Sequence, residues 1–403
     1  MTRNSGNSVE PNLKQAVALV TKMMPISGPS GHEGRIGQFI TKALRRAGLA
    51  QSAIKYDRVH LRSPFGGEVG NLIVKLPGRG AGMRRCPRRL LMAHIDTVPT
   101  CVGSRPKRHG SWIRSADRNT GLGADNRSGA AAVLTAALTI LKNRTSHPPL
   151  TLFWPVQEEV GLIGARLVSM RDLGQPKLAF NFDSGTPLRV ISGATGAYRM
   201  AIDVEGLASH AGVHPDLGIS AITIAARAIA ALEQDGYLGP IQKGRQQGTS
   251  NVGVIDGGQA TNVVAPSVKL KAEVRADNPR FRLTILNRFK RAFEQAARQT
   301  QNVAGRCGRV HFNVRLDYQA FRLKPGEAAV AAACSAVQSV VGTPPSLESV
   351  KGGLDANWLT QRGVPTVTLG AGQHGAHTVD ETLNVPEFEQ GCRIAVRLAT
   401  GTE

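Results

Sequence analysis

Through the first half of the chain, short runs of apolar residues alternate with longer segments of helical periodicity. GNLIVKLPG, RRLLMAHIDTV, PLTLFWPVQ and KLAFNFD read as strands that are apolar on both faces, while NRSGAAAVLTAALTILKN sets Val133, Leu134, Ala137, Leu138 and Leu141 on one face of a helix. GLIGARLVSMRDLG reads as a further helix that stops at Gly174. Apolar strands separated by helices predict a mostly parallel sheet covered on both faces. Such sheets bind ligands beyond the carboxyl ends of their strands.

Near residue 196 the pattern changes. AYRMAIDVEG, SNVGVIDGG and VKLKAEVRA alternate apolar and polar residues, as strands with one solvated face do. Two amphipathic helices, ISAITIAARAIAALEQ and RFRLTILNRFKRAFEQAARQ, are interleaved with them, and the strand GRVHFNVRLDY follows. The order β-α-β-β-α-β predicts a ferredoxin-like unit. After PGEAAVAAACSAVQSVVG the first pattern resumes, with PTVTLG as a strand and VPEFEQGCRIAVRLAT as the closing helix. The expected fold class is α/β. One domain of residues 1–195 and 321–403 carries the mostly parallel sheet, and an α+β domain of residues 196–320 is inserted into it.

At 403 residues the chain exceeds one ordinary core, in keeping with two domains. Apolar residues make up 41%, enough for both cores. No run reaches the ~18–20 continuous apolar residues that span a bilayer. MTRNSGNSVEPNLKQ lacks the apolar stretch of a secretory signal. Five cysteines without a C-x-x-C pair fit reduced thiols, so the expected location is the cytoplasm. The formal net charge is +21, with basic clusters in MRRCPRR, RPKRHGSWIR and RFRLTILNRFKR. Such a surplus can serve an anionic partner such as nucleic acid. No nucleic-acid module accompanies it, and aromatic residues, at 4%, are too few for base stacking. A solvated basic surface is therefore the favoured reading. A scaffold on nucleic acid or acidic surfaces is the non-enzymatic alternative.

Acidic and histidine residues recur where the predicted strands end. They are His94 and Asp96 in LLMAHIDTVP, Asp125 in GLGADNRSGA, Glu158 and Glu159 in FWPVQEEVGLIGA, Asp183 in FNFDSG and His377 in GAHTVDE. Imidazole mixed with carboxylate, and no paired cysteine, suits zinc or a related divalent ion. The size of the set points to a hydrolase with two metals. In the H-x-D pair, Asp96 can hold the far nitrogen of His94 and fix the tautomer offered to a metal; the other reading is a loop histidine beside a cap. Asp125, ahead of a long helix, suits either an N-cap or a carboxylate bridging two cations. Glu158 and Glu159, adjacent acids at a buried strand end, are costly together unless a cation neutralises one.

These segments, together with ASHAGVHPDLGISAI, GGQATNVVAP and GGLDAN, resemble the successive signatures of the peptidase T, carboxypeptidase G and aminoacylase family of dizinc exopeptidases and amidohydrolases, in order and spacing from about residue 15 onward. The peptidase T branch is the most similar, on GVHPDLGISAI and on CVGSRPKRHGSWIR leading into GLGADNR. The resemblance implies two divalent cations, zinc or else cobalt or manganese. His94 and Asp183 would hold one, Glu159 and His377 the other, and Asp125 would bridge them. It implies Glu158 as general base, Asp96 as the group that orients His94, and His210 in ASHAG as a donor to the tetrahedral oxyanion. It also implies that Asn262, Arg275 and Asp355 contact substrate or brace its pocket, and that the inserted domain is a lid through which the chain forms a homodimer. His214 and His374 are read as ordinary loop histidines. Asn126 stands where the family often shows a second acid, although Asn is also seen there.

The expected reaction is removal of N-terminal residues from di- or tripeptides. A free ammonium needs an acidic partner, for which Asp355 or an acid in the 378–382 loop serves, with Arg275 taking the carboxylate end. The alternative is a carboxypeptidase or N-acyl-amino-acid amidohydrolase in which Arg275 and Asn262 grip a terminal carboxylate.

Overall fold

The computed structural model describes residues 9–403. The first eight residues, for which the sequence predicts no ordered element, lie outside the described residues. The chain forms two compact units. The first comprises residues up to Gly193 together with Arg322–Ser349 and Leu354–Glu403, and the second comprises Ala194–Phe321 and Val350–Gly353.

The first unit is built on a nine-stranded sheet. Its inner strands, Leu150–Trp154, Arg89–Met92, Leu178–Phe182 and Thr366–Leu369, are neighbours in that order and run parallel. Leu72–Leu76 and Arg189–Ala194 flank them antiparallel. Every residue of Leu150–Trp154, Leu178–Phe182 and Thr366–Leu369 is buried, as strands covered on both faces require. The parallel register sets Met92 level with Phe153 and Asn181, and Phe182 level with Leu369. The four strands therefore end together, and the loops that leave them open on one edge.

The helix Ala124–Asn143 departs from expectation. Instead of presenting one apolar face it is buried all round from Asn126 to Ile140. Leu13–Met23, Gly34–Arg46, Val385–Thr400 and the sheet all pack on it. Its run of Ala and Gly makes this possible, because small side chains let other backbones come close. At Gly129 a β-carbon would lie 1.9 Å from the carbonyl oxygen of Phe182, so the helix touches the strand end just before Asp183.

The segment GLIGARLVSMRDLG also differs: only Ile163–Leu167 is helical. Val168 turns extended, and the Arg362 guanidinium donates to the carbonyls of Ala165, Arg166 and Val168. A side chain distant in sequence thus satisfies the orphan carbonyls of a helix end, which local periodicity cannot foresee. Among the described residues no helix is long and apolar enough to cross a membrane.

The second unit carries a five-stranded antiparallel sheet in the order Gly239–Lys243, Gln246–Gly257, Ser267–Ala276, Gly196–Glu205, Arg309–Tyr318. Helices Ala221–Gln234 and Pro279–Gln299 cover one face. There Met200, Ile202, Val204, Leu270 and Val274 pack against Ile224, Leu232, Ile285, Phe289 and Phe293. The two helices start at Ser220 and Asn278, whose side chains accept first-turn amides. The observed order is β-α-β-β-β-α-β. The sequence reading lacked Gly239–Lys243, a short edge strand opened by Gly-Pro, which carries almost no strand signal.

The close approach at Gly129 is testable. Gly129→Ala forces the helix away from the sheet and should lower the unfolding free energy by about 1–3 kcal/mol, the usual cost of overpacking. A urea midpoint equal to that of the parent protein would show that the contact tolerates a methyl group.

Candidate metal centre

The loops leaving the four parallel strands carry the polar cluster. His94 follows Met92, Glu158 and Glu159 follow Trp154, Asp183 directly follows Phe182, and His377 lies in the loop after Leu369. Asp125 comes from the first turn of the buried helix, held in a non-helical conformation. Asp125 is not an N-cap. The regular turns begin after Asn126, whose side-chain oxygen accepts the Gly129 amide and so caps them.

The distances describe one connected site. The carboxylate of Asp125 lies between two imidazoles, with Oδ1 3.2 Å from His94 Nε2 and Oδ2 3.4 Å from His377 Nε2. Asp183 Oδ1 is 3.6 Å from His94 Nε2, and Glu159 Oε2 is 2.9 Å from His377 Nε2. Ligand atoms of His94, Asp125 and Glu159 come close enough together to share a cation, as do those of His94, Glu158 and Asp183. Glu158 thus belongs to the second of these groups, which shares His94 with the first.

Behind these residues, Asp96 is fully buried. Its Oδ1 is 3.4 Å from His94 Nδ1 and accepts the amide of Glu158, while its Oδ2 accepts the amide of Glu159 and the Ser30 hydroxyl. One carboxylate therefore orients the histidine and the turn that carries both glutamates. Glu33 braces the same turn from the other side by accepting the Gln157 amide. Gln157 and His377 both adopt left-handed backbone, with φ of 55° and 68°. Such conformations are costly for residues other than glycine, and they collect at sites held by their surroundings. Gln373 accepts from Ser128 and donates to Asp183 Oδ1. Asn126, where a second acid was an option, donates its amide to the Phe182 carbonyl and accepts from Gly129. An aspartate could not make the first of these bonds. Glu381 takes up the amides of Gly123 and Asp125. The sequence reading named none of Ser30, Glu33 and Gln373, and it covered Glu381 only as one of the acids in the 378–382 loop that could meet an ammonium group.

The electrostatics are those of a site short of positive charge. Burial, reinforced by Asp183 and Asp355, pushes Glu158 well above the usual carboxylate range. Burial likewise raises Glu159, Asp183 and Asp355. Burial alone would depress His94, but Glu158 and Asp183 outweigh it and hold this imidazole well above its ordinary value. Hydrogen bonds to Asp125 and Glu159 lift His377 to about 10. Asp125 Oδ1 and Glu159 Oε1 are buried and accept no hydrogen bond. Orphaned acceptors among crowded carboxylates, with imidazoles alongside, fit divalent cations bound by nitrogen and oxygen.

The remaining candidates divide between the units. Asp355 belongs to the first, 1% exposed, with neither carboxylate oxygen hydrogen-bonded. In the 378–382 loop, both oxygens of Glu381 are already committed to backbone amides, so it is not the acid that awaits an ammonium group. His374 pairs with Glu387 and stacks edge-on with Trp112, as befits an ordinary loop histidine. His210, Asn262 and Arg275 lie in the second unit. His210 is exposed and its Nδ1 accepts the Gly212 amide, which leaves its proton on Nε2. The Asn262 carbonyl accepts the Ala211 amide, tying the two segments together. Arg275 forks onto both oxygens of Glu273 and reaches the Lys351 carbonyl.

A family model described as Peptidase family M20/M25/M40 matches residues 90–401. Two solved structures are similar over nearly the whole chain. An aminopeptidase PepT from Bacillus cereus ATCC 10987 is 29% identical, covers 96% of this chain and 98% of its own, and superposes with a TM-score of 0.81. A tripeptidase from Staphylococcus aureus is 27% identical, covers 96% and 99%, and has a TM-score of 0.83. A probable carboxypeptidase from Aspergillus terreus (strain NIH 2624 / FGSC A1156) is 30% identical over 63% of this chain and 58% of its own length.

The raised proton affinities of His94 and His377 set the pH dependence of metal uptake. Each imidazole must lose its proton to become a ligand, so cation affinity should rise with pH through the neutral range and protons should be released on binding. Calorimetric titration of the metal-free protein with zinc, in buffers of differing ionisation enthalpy, measures that release. Uptake without proton release would contradict the assignment.

Proposed function

The chain belongs to peptidase family M20/M25/M40, and from that premise we propose that it is a two-metal aminopeptidase acting on di- and tripeptides. The observation that carries this reading is the Asp125 carboxylate set between His94 and His377, with Glu158 beside His94 and Asp183, and with Asp96 behind His94. His94 and Asp183 would hold one cation, Glu159 and His377 the other, and Asp125 would bridge them, with zinc as the expected metal. When bound, the pair supplies Lewis-acid polarisation of the scissile carbonyl and acidifies the attacking water.

The chain's own residues do the rest. Asp96 keeps the proton on His94 Nδ1, so that Nε2 offers its lone pair. Glu158 takes a proton from the attacking water as its oxygen bonds to the carbonyl carbon, and passes that proton to the leaving nitrogen as the C–N bond breaks. The second unit serves as a lid and dimerisation domain in this reading. The outer edges of Gly239–Lys243 and Arg309–Tyr318, at the two ends of its sheet, support pairing across a twofold axis. His210, with its proton on Nε2, is the donor to the oxyanion. The five free cysteines support a reducing compartment, the cytoplasm.

For substrate, two observations favour a free N-terminus. Asp355 is a buried carboxylate with unpartnered oxygens whose charge acts on Glu158, suited to an ammonium group. Arg275 is already forked onto Glu273, which leaves less of it for a terminal carboxylate. The similarity to a PepT aminopeptidase and a tripeptidase agrees. The similarity to a probable carboxypeptidase favours the second reading, in which a terminal carboxylate is gripped instead.

Glu158→Gln should retain two metals per chain, by elemental analysis, and lose ~10²–10⁴-fold in kcat. Glu159→Gln should lose metal. Equal metal content in the two variants would overturn the division of roles. A panel of unblocked, N-acylated and C-amidated tripeptides separates the substrate readings. Cleavage of the unblocked and C-amidated peptides is expected. Cleavage of the N-acylated but not the C-amidated ones would replace the aminopeptidase with a carboxypeptidase or deacylase.

A further inference from the structure

The backbone that presents Asp125 lies ahead of the regular turns of its helix, which begin after Asn126, whose side chain accepts the Gly129 amide. Gly123 is in left-handed backbone, and Asp125 and Asn126 have non-helical dihedral angles. The Gly123–Asp125 segment is thus outside the turns that Asn126 caps.

Here the support comes from 256 residues away. Glu381 Oε1 accepts the Asp125 amide at 2.7 Å, and Oε2 accepts the Gly123 amide at 2.6 Å and the Cys101 thiol at 3.4 Å. Glu381 is 1% exposed. It lies four residues after His377, in the same loop, and His377 Nε2 faces Asp125 Oδ2. One side chain therefore ties the backbone that presents Asp125 to the loop that presents His377. With both oxygens spent on amides and a thiol, Glu381 is outside the groups whose atoms could share a cation.

We infer that Glu381 is a positioning residue for the cation held by Asp125, Glu159 and His377. It fixes the distance between Asp125 and His377 by holding the Gly123 and Asp125 amides that lead into the central helix. The inference rests on the reading of those three residues as ligands. A carboxylate suits the place because it accepts from both amides at once. Glutamine, of nearly the same shape, turns an N–H₂ group toward an N–H donor and breaks one of the two bonds. Aspartate keeps the charge but is one methylene too short to reach both amides.

The test is cobalt binding to the metal-free wild-type, Glu381→Gln and Glu381→Asp proteins, read by competition with a chelator and by the cobalt absorption spectrum, with the melting temperature of each metal-free protein alongside. In Glu381→Gln one of the two cations should bind ~10–100-fold more weakly, the usual effect of losing a group that orients a ligand, with an altered spectrum for that cation. The other cation should change little, and kcat should recover when cobalt is in excess. Glu381→Asp should fall between. A purely structural role predicts a lower melting temperature with both affinities unchanged or weakened alike, and that result would overturn the inference. If Glu381→Gln does not fold, Glu381→Asp decides on the same readout, wild-type affinity being the overturning result. Failure of the wild-type protein to bind a second cation would instead remove the reading of the ligands themselves.

Discussion

The structure is organised around a concentration of negative charge that protein alone cannot stabilise. Asp96, Asp125, Glu158, Glu159, Asp183 and Asp355 converge on two imidazoles, at or beneath the surface. Mutual repulsion and loss of solvent raise four of these carboxyls, and both imidazoles hold their protons tightly in response. Buried charges of one sign are kept only where a counter-charge belongs. The site is thus built for cations, and its surroundings serve to keep like charges together in their absence.

That task explains why the supports are so rigid. Four parallel strands end level and set the loops side by side. The central helix is packed on every side and touches the sheet at Gly129, so the floor under Asp125 cannot shift alone. Asp96 fastens the turn of the two glutamates, while Asn126 and Gln373 fasten the two sides of Asp183. Each of these bonds is short-range in space and long-range in sequence.

This separation governs what the sequence revealed. Period and composition are local signals, so the parallel core, the inserted sheet domain and the acids and histidines at strand ends could all be read from them. The short edge strand Gly239–Lys243 and the truncated helix after Leu162 were not legible, because one has almost no apolar pattern and the other is ended by Arg362 from far along the chain. The same limit applied inside the site. The candidate ligands announced themselves as polar residues at buried strand ends, whereas Glu33 and Glu381 act through backbone amides of distant segments, and Gln373 through side chains of such segments, and none of these bonds can be read before the chain is folded. Asp125 showed both sides of this. Its place ahead of a helix suggested a cap, and only the geometry reveals that its neighbour Asn126 is the cap and that Asp125 is held by Glu381.

The inserted unit also imposes an order in time. His94, Asp125, both glutamates and Asp183 lie before Ala194, whereas Asp355 and His377 follow more than a hundred intervening residues that form a unit of their own. During synthesis from the N-terminus the ribosome releases most of the acidic set early, with one histidine, and the second histidine only near the end. Until His377 is made, Asp125 and Glu159 lack the second imidazole that faces them in the folded chain. Closure of the central sheet must wait for Thr366–Leu369, the strand that precedes His377. In the proposed reading of Asp125 and His377 as ligands, a cation shared by them would join the first-made and last-made parts of the unit, as a latch on a completed chain.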